Sequence, residues 1–147
     1  VVVRCLARCL LHEEGLEFGR GLSNVEEPTL ALPGPHGGYS LWVDIGAPSA
    51  ERVHRASKLA ERLVIVTDKD AATLRKEWGS RSIHAPDAIE LLILPRGFVD
   101  QLAAVLGRNE SWVVSLVEGT LSVTVRGESY ACDPERTTLQ AFLAAGA

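Results

Sequence analysis

Methionine is absent from the 147 residues, so the chain opens on Val1 rather than on an initiator. Val1 already lies inside a helical pattern, and an upstream N-terminal segment is therefore expected. Cysteine is scarce: Cys5, Cys9 and Cys132 are an odd number without framework spacing. This excludes a disulfide scaffold and fits a reducing, cytoplasmic compartment. No apolar run approaches the ~20 residues of a membrane span, and no charged-then-apolar leader opens the sequence, so no membrane association is expected. Nucleotide motifs are also lacking. No GxGxxG follows a strand, and Pro33-Gly34-Pro35-His36-Gly37-Gly38 has no Gly-Lys-Ser/Thr ending. Neither a serine-histidine-acid nor a cysteine-histidine set occurs at a credible spacing. With a formal charge of -4 there is no overall basic field, so any nucleic-acid contact depends on a local patch.

What is present predicts one domain over residues 1–147, since 46% hydrophobic and 23% charged residues suffice for an ordinary soluble core. The centre of the pattern is Gly38 to Arg62. Tyr39 to Gly46 reads as a strand with Leu41, Val43 and Ile45 on one parity. Ser40, Trp42 and Asp44 take the other, so the carboxylate shares a face with the indole. Gly46-Ala47-Pro48 breaks the strand, Ser49 is a natural N-cap, and Glu51 suits the first turn of a helix. In that helix Val53, Ala56, Ala60 and Leu63 form an apolar side, and Glu51, Arg55, Lys58 and Arg62 a charged one. A carboxylate near a strand end, followed by a cationic helical stripe, is suited to binding metal and phosphate.

The remaining chain reads as alternating elements. Val1 to His12 is helical; Cys5, Cys9 and His12 on neighbouring turns have no fourth zinc ligand and are read as core. Leu16 to Phe18 is a short strand, and residues 23 to 38 form a long connection carrying Glu26, Glu27 and His36. Solvated loop charge is the simpler reading of both glutamates, although they precede the Asp44 strand and can converge with it on a cation. Leu63 to Thr67 is a fully buried strand, placed parallel to the first by the intervening helix. Asp68 or Asp70 caps the helix Ala71 to Trp78. Ala88 to Leu94 is a further strand and Phe98 to Leu106 an amphipathic helix. Ser111 to Val117, Leu121 to Val125 and Ser129 to Cys132 form an antiparallel meander, with turns at Glu118-Gly119 and Gly127, placed at the end of the same sheet. Trp112 and Tyr130 are either an aromatic platform for bases or, the stronger expectation, core packing. Thr137 to Ala145 closes the chain as a helix.

The segments GLEFGRGLSNVEEP and LWVDIGAPSAERVHRASKLAERLVIVT together resemble the YaeQ family of small bacterial proteins. The resemblance runs over nearly the whole chain and is strongest over residues 16 to 67. It implies an α/β fold: a mixed β-sheet flanked by helices, a variant PD-(D/E)xK nuclease-like core with the C-terminal meander added. It also implies a divalent-metal site for Mg²⁺ or Mn²⁺. Carried over, Asp44 takes the acidic position of the central strand, where many relatives have glutamate. Glu26 or Glu27 supplies a second metal ligand, and Lys58 stands in for the motif lysine, with Arg55 as its alternative. In the standard motif the lysine lies two residues after the acid; here that residue is Gly46.

Two readings follow. In the first, the chain is a metal-dependent phosphodiesterase on nucleic acid, with the metal on Asp44 and Glu26 or Glu27 and Lys58 as electrostatic helper. In the second, it is a non-catalytic module that keeps the fold and binds nucleic acid or a protein partner, linked to transcription. A third reading, a small-molecule enzyme using the acidic loop after Thr67, has less support.

Overall fold

The computed structural model describes residues 3, 6–7, 17–18, 30–35, 37–105 and 112–145. Its frame is a six-stranded mixed sheet built around the predicted central strand. The strands are β1 (Glu17–Phe18), β2 (Leu30–Pro33), β3 (Tyr39–Ile45), β4 (Ala60–Thr67), β5 (Ile89–Ile93) and β9 (Glu135–Thr138), lying side by side in that order. Only β3–β4 and β4–β5 are parallel; the outer pairs are antiparallel. Helix α1 (Ala50–Leu59) links β3 to β4, and α2 (Ala71–Trp78) lies between β4 and β5. They are followed by α3 (Arg96–Val105) and, after β9, by α4 (Leu139–Ala145).

The period-2 pattern of the parallel strands serves two cores, because both faces of the sheet are covered. Leu41, Val43, Val64, Val66 and Leu92 point to one face. There they meet Phe98, Val99 and Leu102 of α3, together with Val3, Leu6 and Ala7. Trp42, Leu63, Ile65, Ile89 and Leu91 point to the other, against Val53 and Ala56 of α1, Leu74 and Trp78 of α2, and Leu139 and Phe142 of α4. A one-residue slip of any of these strands would exchange the two sets, so the register is strongly held.

Four expectations need correction. The helix after Ser49 ends at Leu59 rather than running on to Arg62. Ala60 is already extended (φ -119°, ψ 143°), and β4 starts there because Arg62 completes a strand pattern and pairs with Glu90 across β5. The connection of residues 23 to 38 contains β2: Leu30 is fully buried and pairs with Val43, while Pro33 sits at an edge irregularity where a missing N–H is tolerated. β9 takes the first two residues of the stretch read as terminal helix, Thr137 and Thr138, and α4 starts only at Leu139. In β9, Arg136 and Thr137 alternate against Leu92 and Leu91, with too few apolar residues to announce a strand. Finally, the meander of β6 (Trp112–Val117), β7 (Thr120–Val125) and β8 (Glu128–Cys132) is a separate three-stranded sheet. Leu121, Val123 and Val125 of its central strand enter the α3-side core, so it covers a face of the large sheet rather than extending its end. Trp112 and Tyr130 pack against that same core.

Both meander turns have two central residues at positive φ, Glu118-Gly119 and Arg126-Gly127, the geometry that matches the twist of paired strands.

Candidate functional site

The C-terminal end of β3 delivers Asp44 to the α1 side of the sheet, and the turn Gly46-Ala47-Pro48 brings the chain back over it. Gly46 takes φ +86° and donates its N–H to the Val66 carbonyl at 2.9 Å, tying the turn to β4. A side chain at this position would be strained, so the residue that would carry the motif lysine is held by backbone geometry as glycine. Ser49 Oγ then accepts the Arg52 N–H at 3.2 Å and starts α1. Two residues of α2 support the turn. Trp78 donates its indole N–H to Pro48 O at 2.9 Å, and Glu77 Oε1 accepts the Ala50 N–H at 3.1 Å.

This geometry aims Arg52, on the first turn of α1, at Asp44. Its Nε donates to Oδ2 at 2.7 Å and its Nη2 to Oδ1 at 2.9 Å, a bidentate pair. Asp44 is 1% exposed and Arg52 6%, so both charges have left water. The guanidinium also lies 5.7 Å from the centroid of the Trp42 ring. The shared face of indole and carboxylate is therefore present, and it is closed by a residue the sequence pattern did not single out. Arg52 lies one turn before Ala56 on the buried side of the helix, where a cation is unexpected. The signal was the eight-residue spacing from an acid at a strand end, across a Gly-x-Pro turn, to the first turn of a helix.

Lys58 lies elsewhere. It is exposed in the last turn of α1, six residues beyond Arg52 and so roughly 9 Å further along the helix. There it lies with Arg81 in the surroundings of His54 and His84. The His84 backbone N–H donates to His54 Nδ1 at 2.9 Å. Desolvation, then the charges of Lys58, Arg81 and His84, hold the His54 imidazole below its ordinary value of 6.5. Arg55, the alternative to Lys58, faces Glu51 one turn earlier at 3.7 Å. Glu26, Glu27, His36, Cys5, Cys9 and His12 lie outside the described residues. Asp70 is the N-cap of α2, accepting the Thr73 N–H at 2.7 Å.

Because the fold disfavours the charged form of the His54 imidazole, stability with respect to this group is complete above about pH 6.5 and is lost as pH falls from there through the lowered folded-state value. The urea midpoint should therefore drop below pH 6.5, and His54→Gln should flatten that drop. An unchanged slope in the variant would show that the pH dependence comes from other groups.

As a metal site, the described residues fit poorly. No group of three His, Cys, Asp or Glu side chains converges among them. Asp44 offers its two oxygens to a buried guanidinium, whose charge opposes a divalent cation in the same place.

Comparison with known proteins agrees with this architecture. The family model described as YaeQ protein matches residues 1–134. The chain belongs to the YaeQ family. It is similar to the solved YaeQ protein of Pseudomonas syringae, with TM-score 0.77 and 26% identity over 94% of this chain and 75% of that one. The YaeQ protein of Xanthomonas axonopodis pv. citri gives TM-score 0.77 and 28% identity over 92% of this chain and 77% of that one. Among curated relatives, the Uncharacterized protein YaeQ of Salmonella typhi is 34% identical over 65 residues, 44% of this chain. That of Escherichia coli K12 is 33% identical over 67 residues, 46% of this chain. The matched stretches span 36% and 37% of those two relatives. No helix among the described residues is long and apolar enough to cross a membrane.

Proposed function

We propose that this YaeQ chain is a non-catalytic nucleic-acid-binding module, in which Asp44 is a structural anchor and phosphates meet the cationic end of α1. The observation that carries the reading is the bidentate closure of Asp44 by Arg52, with both side chains buried. A carboxylate engaged in this way is poorly disposed to hold Mg²⁺ or Mn²⁺. The absence of an overall basic field leaves nucleic acid to a local patch, and Lys58 and Arg81, beside His54 and His84, form one. The finer fold reading is a variant PD-(D/E)xK core kept without its lysine. It is supported by the acid on the central strand and by a positive-φ glycine two residues later. A cytoplasmic setting fits the free thiol of Cys132.

The test is fluorescence anisotropy of a labelled single-stranded oligonucleotide, titrated with the chain at low and high salt, with and without Mn²⁺. The module binds without metal, loses affinity as salt rises, and loses roughly tenfold or more in the Lys58→Glu/Arg81→Glu variant. Shortening of the oligonucleotide in Mn²⁺, abolished by Asp44→Asn, would restore the phosphodiesterase reading. No binding at low salt sinks both.

A further inference from the structure

Three arginines of the described chain have a guanidinium edge that is buried or half-buried beside the sheet. Arg52 and Arg62 each direct Nε and Nη2 onto one carboxylate, those of Asp44 and Glu90. Arg75 on α2 differs: its Nε is buried, and among the described residues it has no acceptor. A buried guanidinium N–H without an acceptor is costly, and among the described residues no carboxylate pairs with Arg75 as Asp44 and Glu90 pair with Arg52 and Arg62.

The surroundings form a cavity. Arg75 lines a space of ≈ 160 Å³ between α2, the end of β5, β9 and α4. Leu74, Ile93 and Phe142 supply apolar wall, and Lys69, Thr137 and Glu135 the polar part. The guanidinium carbon of Arg75 stacks 4.7 Å over the Phe142 ring, and Phe142 is itself held edge-on by Trp78 at 6.1 Å. The guanidinium is thus positioned by packing rather than by an anion of the protein. Lys69 and Arg75 place two positive charges against the single negative charge of Glu135, which is exposed.

We propose that this cavity binds a small carboxylic acid of about benzoate size, its carboxylate toward the charges of Arg75 and Lys69 and its apolar body against Leu74, Ile93 and Phe142. The size follows from the volume, since a dry apolar cavity of about 150 Å³ accommodates benzene. The carboxylate follows from the charge of the wall, where Arg75 and Lys69 outnumber Glu135, an excess from which a neutral ligand gains nothing. This inference is independent of the nucleic-acid reading. It uses none of His54, Lys58, Arg81 or His84.

The experiment is a titration of the isotopically labelled chain with sodium benzoate, followed by amide chemical shifts, with benzamide as the neutral isostere. Benzoate gives saturable shifts at Ile93, Thr137 and Ala141 with affinity of about millimolar order. Benzamide and the Arg75→Gln variant each bind roughly tenfold more weakly or worse. Should Arg75→Gln not fold, the benzoate–benzamide comparison on the wild-type chain decides. Equal affinity for the two ligands, shifts centred elsewhere, or no saturation to on the order of 50 mM benzoate would overturn the proposal.

Discussion

Arg52→Ala is expected to lose about 3–5 kcal/mol of stability, because it removes the bidentate partner of a charge that is 1% exposed. For a domain of this size that is a large share of the whole, where about 5–15 kcal/mol is usual. Asp44→Ala should cost a similar amount by leaving the guanidinium buried. The pair itself is a different matter. Taking two ions out of water costs nearly as much as their attraction returns, so the double replacement Asp44→Leu/Arg52→Met should fall within about 1–2 kcal/mol of wild type. Urea unfolding of the four proteins closes a double-mutant cycle, and coupling of well over about 1 kcal/mol is the expected result. If the two single variants are each as stable as wild type, the carboxylate is not anchored by Arg52 and is free for another role.

The same cycle bears on function. When Asp44 serves the fold, the apolar double variant keeps oligonucleotide binding, since Lys58 and Arg81 are untouched. When Asp44 is a metal ligand, the double variant folds but loses every metal-dependent property. Stability and function therefore separate in one protein, which a single alanine substitution cannot achieve.

The sequence discloses elements wherever a face is apolar and a turn is chemically marked. Tyr39 to Ile45 shows strict alternation ended by Gly46-Ala47-Pro48, and β3 and the α1 N-cap fall where that pattern places them. Leu63 to Thr67 is continuously apolar, and β4 is buried on both faces. What stayed hidden has physical causes. β9 pairs at the sheet edge through Glu135, Arg136 and Thr137, residues that announce no strand. β2 contributes one fully buried residue, Leu30, between prolines. Arg52 escaped for another reason: helical periodicity assigns charges to solvent, and a buried cation is recognised only with its partner in view. The partner stands on another element, so the pairing is a product of the β3–α1 turn.

Trp78→Ala should cost about 3–5 kcal/mol, the second large effect, and should also loosen the Asp44–Arg52 pair. Trp78 is fully buried in the α1-side core and packs edge-on with Phe142. Its indole N–H also holds Pro48 O, within the turn that carries the chain from Asp44 to Arg52. Removing the ring opens a large cavity and frees that carbonyl together. Trp78→Phe separates the two contributions: most of the ring volume stays, and the lost hydrogen bond alone should cost about 1–2 kcal/mol. Because the turn positions the ion pair, Trp78→Phe and Arg52→Ala should be non-additive by about 0.5 kcal/mol or more, although the residues lie on different helices. Strict additivity would show that Pro48 is held equally well without the indole, and that the pair is positioned by β3 and the Ser49 cap alone.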